Sequence, residues 1–130
     1  MFLTEYLSNI TKIIDEYSKT GLILSSEIAI DSRTEKIGLI KGSIIFINES
    51  RLFFTEYLDL RFKIDKITYS FHYQDKDGNL IFRYDNAAHK PKIDHEHHKH
   101  IGSSVFQAEI PDLKDVLEEI ISDLLVEPQM

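Results

Sequence analysis

The sequence contains no cysteine, no run of eighteen apolar residues and no excess of basic residues. Without cysteine, the chain forms no disulfide and offers no thiolate to a metal ion. Without a long apolar run, no segment is predicted to span a membrane. Acidic residues outnumber Lys and Arg by 22 to 15, and the net charge of −7 argues against a protein that coats duplex DNA through a broad basic face.

The N-terminus also lacks the features of an export signal. The segment MFLTEYLSNITKIIDEY carries acidic residues early and has no basic region followed by an apolar run. We therefore expect a cytoplasmic protein. The chain's 130 residues are typical of one domain, so we predict a single domain over residues 1–130 with a frayed tail at 126–130.

Amphipathic helices are predicted at both ends of the chain. Apolar residues recur at spacings of three and four between residues 3 and 18, and Gly21 is a typical helix stop. A second helix is expected to begin at Pro111, because proline favours the first turn and the following apolar residues have a helical period. These residues are Leu113, Val116, Leu117, Ile120 and Leu124.

Between residues 22 and 86 the apolar period changes to two, which is typical of β-strands. Strands in sequence between helices favour an α+β fold, here a single antiparallel meander sheet of about five to six strands packed on the N-terminal and C-terminal helices. The other face of the sheet would stay partly open. Glu56 interrupts an apolar face formed by Leu52, Phe54, Leu58, Leu60 and Phe62, and we interpret it as an inward charge that protects an edge strand.

The pair Asp77-Gly78 predicts a β-hairpin with a two-residue loop. In that register Tyr73 faces Phe82 and Phe71 faces Tyr84, with all four on one apolar face. The opposite face carries Ser70, His72, Arg83 and Asp85. His72 would then lie directly across from Arg83 and diagonal to Asp85. On this spacing alone, a solvated strand face with an incidental salt bridge fits as well as a site. The hairpin leads directly into the histidine-rich segment that follows, and this convergence favours a site.

Five of the six histidines lie in the segment FRYDNAAHKPKIDHEHHKH, residues 82–100, most of which is predicted to be a long loop over 87–102. Three interpretations fit: a metal site completed by Asp94 or Glu96, an exposed polar loop, or a site for acid–base catalysis and phosphate recognition. Two histidines can act as base and acid in phosphodiester cleavage without a metal. Positive charge for the phosphate would come from Arg83, Lys90, Lys92 and Lys99.

The segments FHYQDKDGNLIFRYDNAAH (71–89), HHKH (97–100) and PDLKDVLEEI (111–120) resemble the TumE-like toxins of prokaryotic toxin–antitoxin systems. The sequence departs from the family pattern at Ala88 and Glu96, where proline is common, and at Lys90, where a second histidine is common. The resemblance implies a toxin paired with a helix-turn-helix antitoxin. It also implies a set of site residues: His72, Arg83, Asp85, Asn86, His89, His97, His98, Lys99 and His100.

The first functional hypothesis is a toxin-like protein that acts on RNA as a metal-independent ribonuclease, with no cofactor. The residues that would be catalytic are His72, Arg83, Asp85, His89, His98 and His100. The residues that would bind nucleic acid are Asn86, Lys90, His97 and Lys99. The alternatives are a non-enzymatic module that binds nucleic acid or protein, or a metal-binding protein that uses the histidine-rich loop. A homodimer is also compatible with the sequence.

Overall fold

The structure is a computed structural model that describes residues 1–87 and 97–126. Within these ranges two helices flank an uninterrupted series of seven strands. The elements are α1 (Leu3–Ser18), β1 (Ile23–Ser32), β2 (Ile37–Phe46), β3 (Arg51–Asp59), β4 (Asp65–Gln74), β5 (Leu80–Asp85), β6 (His98–Ile101), β7 (Ser104–Gln107) and α2 (Leu113–Val126). Neither helix is long and apolar enough to cross a membrane.

The strands form one antiparallel sheet in which the spatial order follows the sequence order, β1 to β7. The predicted α+β fold with a meander sheet is therefore confirmed, with seven strands in the described residues instead of five to six. The additional strand is β6, which the sequence analysis assigned to a loop. Its short segment has no apolar alternation, and it is a strand because it pairs with β5 on one side and β7 on the other.

Both helices contribute to a core on one face of the sheet. Leu3, Ile10 and Ile14 of α1 are buried in it, as are Leu113, Val116, Leu117 and Ile120 of α2. The rest of the core comprises Leu60, which follows β3, and the alternate positions of β2 to β5 that face the helices: Ile40, Ile44, Phe46, Leu52, Phe54, Leu58, Tyr69, Phe71, Tyr73 and Phe82. Each fully buried side chain of this size contributes about 1.5–3 kcal/mol. The opposite face carries no helix in the described structure.

The β4–β5 hairpin has the predicted register at the positions that matter for a site. His72 pairs with Arg83, and Tyr73 pairs with Phe82. The turn differs from the prediction, because the amide of Asp75 donates to the Asn79 carbonyl and the loop therefore holds three residues, with Gly78 at a φ of +87°. A register shift between Tyr73 and Gln74 absorbs the extra residue.

Two expectations for β3 are wrong. Glu56 is not on an edge strand, because β3 lies between β2 and β4. Phe62 does not share the apolar face of β3, because the strand ends at Asp59 and the Phe62 side chain is 93 % exposed in the bend that follows. The alternation of side chains therefore breaks before Phe62, although Leu60 is buried as expected.

Candidate active site

Polar residues form two neighbouring rows across the open face of the sheet. Paired residues on adjacent strands point to the same face, so a chain of pairs makes a continuous row. We call the first the histidine–arginine row: His72, Arg83 and His100, on β4, β5 and β6. We call the second the aspartate row: Ser70, Asp85 and His98, on the same three strands. The strand pairing thus brings residues 28 positions apart into one cluster.

Arg83 links the two rows. Its Nε donates to Asp85 Oδ2 at 2.8 Å, and its Nη1 lies 3.3 Å from His72 Nδ1. A guanidinium group only donates, so His72 Nδ1 acts as an acceptor in this contact. The other ring nitrogen, Nε2, lies 3.1 Å from Gln74 Oε1 and donates a hydrogen bond to it. Both contacts are satisfied by one neutral tautomer of His72, whose Nδ1 lone pair could act as a general base when Arg83 Nη1 turns from it to a phosphate.

Asp85 is in contact with two imidazoles. His98 Nδ1 lies 3.3 Å from Asp85 Oδ1, and His100 Nε2 lies 3.4 Å from the same oxygen. Burial alone would raise the pKa of Asp85, but the hydrogen bonds from Arg83 and His98 outweigh it, and the pKa is lowered. An ionised carboxylate only accepts, so both imidazoles present an N–H to it. His100 therefore directs its Nε2–H at Asp85, so a proton for a leaving group would come from the other ring nitrogen, Nδ1, of the imidazolium form.

Exposure divides the cluster into an outer and an inner part. His98 and Asp85 are buried, at 2 % and 4 % exposed. His72, Arg83 and His100 are only partly buried. The histidine–arginine row can therefore meet a substrate, whereas Asp85 and His98 are buried in the neighbouring row and can orient Arg83 and His100.

Asp85, His98 and His100 also offer donor atoms that lie within 4.8 Å of one another. Imidazole nitrogens and a carboxylate oxygen are ligands that zinc accepts, so these residues could hold a metal ion. Arg83 opposes this, because its Nε is 2.8 Å from Asp85 Oδ2 and places a permanent positive charge beside the carboxylate. His98 and His100 belong to the histidine-rich segment that was predicted as a loop, but they lie on β6, and Asp85 ends β5. Asp94 and Glu96 lie outside the described residues.

A family model described as Toxin TumE matches residues 10–130, which include the whole cluster. The chain belongs to the TumE toxin family. The resemblance stated from the sequence motifs is thereby confirmed, and membership in a toxin family implies an antitoxin partner. Searches against curated proteins and against solved structures found no match.

Three of the site residues predicted for this TumE-family chain lie apart from the cluster. Lys99 alternates with His98 and His100 and therefore points to the helix side, where its Nζ lies 2.9 Å from Glu119 Oε2. His97 contacts Tyr69, with Nδ1 3.1 Å from the hydroxyl and the two rings stacked.

Asn86 is the third residue outside the cluster. It holds the start of β4, because its side chain accepts from the Tyr69 amide and donates to the Ile67 carbonyl, each at 3.0 Å. These contacts engage both ends of the Asn86 amide within the fold. His89 and Lys90, also predicted as site residues, lie outside the described residues.

Two neighbours of the cluster on β3 were not predicted from the sequence. Phe53 pairs with His72 and extends the histidine–arginine row, and Thr55 pairs with Ser70, with the two hydroxyls 2.9 Å apart. The alternation of β3 could have placed both residues on the open face. It could not have given their partners, because the segment between β3 and β4 has no turn motif that fixes the register.

Proposed function

We propose that this chain is the toxin of a toxin–antitoxin system and that it cleaves RNA in the cytoplasm without a metal ion. The observation that carries the proposal is the histidine–arginine row, in which a guanidinium lies between two imidazoles on an open sheet face. Two imidazoles on either side of a cation suit acid–base cleavage of a phosphodiester. The partner that neutralises the toxin is a helix-turn-helix antitoxin, as the family resemblance implies.

The reaction is an intramolecular transesterification. His72 takes the proton of a ribose 2′-hydroxyl, and O2′ attacks the adjacent phosphorus. The bond between phosphorus and O5′ breaks, and His100, acting as an imidazolium, donates its Nδ1 proton to the departing O5′. Arg83 stabilises the negative charge that develops on the phosphoryl oxygens. The products are a 2′,3′-cyclic phosphate and a 5′-hydroxyl, and DNA is not a substrate because it lacks the 2′-hydroxyl.

Asp85 and His98 have positioning roles. Asp85 holds Arg83 through Nε and leaves Nη1 to reach His72 or a phosphate. The same carboxylate accepts from the Nε2–H of His100 and thereby fixes the orientation of its ring. His98, buried beside Asp85, donates a further hydrogen bond to the carboxylate and limits its rotation. A substrate would therefore meet side chains whose orientation is already fixed.

The test has a cellular and a biochemical part. Expression of the chain alone should arrest growth, and Arg83→Ala or His98→Ala should relieve the arrest, because each breaks a contact of Asp85. The matched control is Arg61→Ala, since Arg61 forms a similar pair with Asp59 at 2.9 Å in an exposed bend, away from the cluster. Purified protein should cleave RNA in the presence of EDTA. Intact RNA together with normal growth would refute the proposal.

A second candidate is a metal-dependent protein, and the observation that favours it is the Asp85, His98 and His100 donor set. Metal content discriminates between the two. A stoichiometric metal ion that stays bound when the protein is purified without a His-tag and in the presence of chelator would favour a metal-dependent protein. Metal-free protein that cleaves RNA would favour acid–base catalysis. If neither wild type nor any variant forms a product, and the histidine variants bind RNA more weakly than wild type, the chain is a binding module.

A further inference from the structure

We propose that Phe53 is the stacking platform for the RNA base immediately 5′ of the scissile phosphate. In this arrangement single-stranded RNA crosses the sheet along the histidine–arginine row, from β3 towards β6. The inference rests on the proposed function, because it names the substrate form and the strand direction at the same site.

The Phe53 ring is exposed to solvent beside His72, the proposed general base. Phe53 pairs directly with His72, and the two ring centroids are 6.4 Å apart at an interplanar angle of 51°. The side chain is 41 % exposed, although both sequence neighbours, Leu52 and Phe54, are buried in the core. An exposed aromatic ring on a sheet face is the element that single-strand-binding proteins use to stack bases.

A cleft of about 600 Å³ lies alongside Phe53 on β1, β2 and β3. This volume is within the usual range for a small-ligand site, roughly 300–1,000 Å³, and therefore admits a base and its ribose. Its open-face lining includes Glu27, Lys41, Ser43 and Thr55. Their carboxylate, amine and hydroxyl groups can hydrogen-bond the edge of a base that stacks on Phe53.

The order of residues along the row gives the direction of the RNA strand. Phe53, His72, Arg83 and His100 follow one another on β3, β4, β5 and β6. Adjacent strands are about 4.8 Å apart, so Phe53 and Arg83 are separated by roughly 10 Å, comparable to the distance from a base to its own 3′-phosphate. A base on Phe53 therefore places its ribose 2′-hydroxyl at His72 and its 3′-phosphate at Arg83.

A stacked base must be free of a duplex partner, so the cleft selects unpaired RNA. Phosphates on the 5′ side of the stacked nucleotide would pass Lys41, the exposed cation that pairs with Thr55 on β2 and β3. Stacking alone tolerates any base, because every base has a π-face. We therefore expect the rate of cleavage to depend strongly on the presence of the 5′ base and more weakly on which base it is.

The test uses short RNA oligonucleotides with one cleavage site and compares wild type, Phe53→Leu and Phe53→Tyr. Leucine keeps an apolar surface and removes the π-face, whereas tyrosine keeps the ring. Phe53→Leu should lower kcat/KM by roughly 5- to 100-fold, as expected for the loss of one stacked base, and Phe53→Tyr should stay near wild type. Equal melting temperatures would show that Phe53→Leu is folded.

Abasic substrates make the test specific for position. Removing the base 5′ of the cleavage site should slow wild type by about the factor seen for Phe53→Leu and should slow Phe53→Leu little further, since the same contact is lost only once. Removing the base on the 3′ side should affect both proteins equally.

The outcomes separate the two proposals. If cleavage depends on His72 but is unchanged in Phe53→Leu, Phe53 is not the stacking platform, and the proposed function stands. The stacking proposal is also wrong if removing the 5′ base from the RNA slows Phe53→Leu by the same factor as it slows wild type. If wild type cleaves none of the oligonucleotides, both proposals are wrong. Preferential cleavage of a fully paired duplex overturns the requirement for an unpaired base.

Discussion

The two faces of the sheet each contain a buried carboxylate, and the partners of these carboxylates differ. On the helix-covered face Glu56 is 1 % exposed, accepts from the Tyr6 hydroxyl at 2.8 Å and pairs with Lys66 Nζ at 2.8 Å. Lys66 in turn donates to the Pro111 carbonyl at 2.8 Å. The network joins α1, β3, β4 and the start of α2, and the Lys66 side chain is itself only 6 % exposed. Lys66 also pairs with Asp112 at 3.3 Å, and the Asp112 side chain is exposed, but the charged groups of Glu56 and Lys66 are both buried.

On the open face the Asp85 carboxylate has partners that reach solvent. The Arg83 side chain is 36 % exposed, and His100 is only partly buried. An ion pair whose two charged groups are both buried acts mainly on stability, whereas a buried carboxylate that orients accessible donors can act on a ligand. The difference predicts that changes at Glu56 and Lys66 affect stability, and that changes around Asp85 affect activity.

The largest effect is expected for the two accessible histidines. His72→Ala and His100→Ala should each reduce RNA cleavage by about 10²–10⁴-fold, the usual contribution of a general acid or base. Neither change should lower the melting temperature by more than a few degrees, because both side chains lie outside the core. Cleavage assays and thermal melts on the same preparations check this. If both variants fail to fold, the open face also determines stability, and the proposed difference between the two faces is wrong.

The next largest effect is expected at Lys66. Lys66→Ala leaves Glu56 buried without its cation, which should reduce the free energy of unfolding by about 3–5 kcal/mol. The matched control is Lys63→Ala, since Lys63 is exposed and close in sequence. Urea denaturation measures both variants. A Lys66→Ala protein as stable as Lys63→Ala would show that the network on the helix-covered face does not hold the fold together.

A smaller effect is expected for Asp85→Asn. Asparagine keeps the shape but removes the negative charge that orients Arg83 and His100, so kcat should fall by up to about 100-fold through misplacement of these groups. The KM for RNA should change much less, because Arg83 stays available to the phosphate. Steady-state kinetics separate the two constants. A change confined to KM would assign Asp85 to substrate binding.

The smallest effect is expected for Lys99. Its ammonium group pairs with Glu119 and lies 4.7 Å from the Tyr84 ring centroid on the helix side. Lys99→Ala should cost about 1 kcal/mol of stability or less and leave cleavage unchanged. If Lys99→Ala loses most of its cleavage activity at normal stability, Lys99 belongs to the functional site, as predicted from the sequence.

Local patterns predicted the parts of the molecule that depend on near neighbours in the chain. The period of three and four gave α1 with its observed bounds, and the Asp77-Gly78 turn gave the pairing of His72 with Arg83. The pairing of β6 with β5 was missed because it joins segments separated by residues without a periodic pattern. Glu56 was misinterpreted because an edge strand and an inner strand have the same alternation, and only the sheet order distinguishes them.

The most direct test of the central claim is an analysis of RNA ends after digestion in EDTA by wild type and by His100→Ala. If the histidine–arginine row catalyses acid–base cleavage, wild type leaves 2′,3′-cyclic phosphate and 5′-hydroxyl ends, and His100→Ala leaves the RNA almost intact. Ends that carry a 3′-hydroxyl and a 5′-phosphate, or cleavage that EDTA abolishes, would contradict the claim.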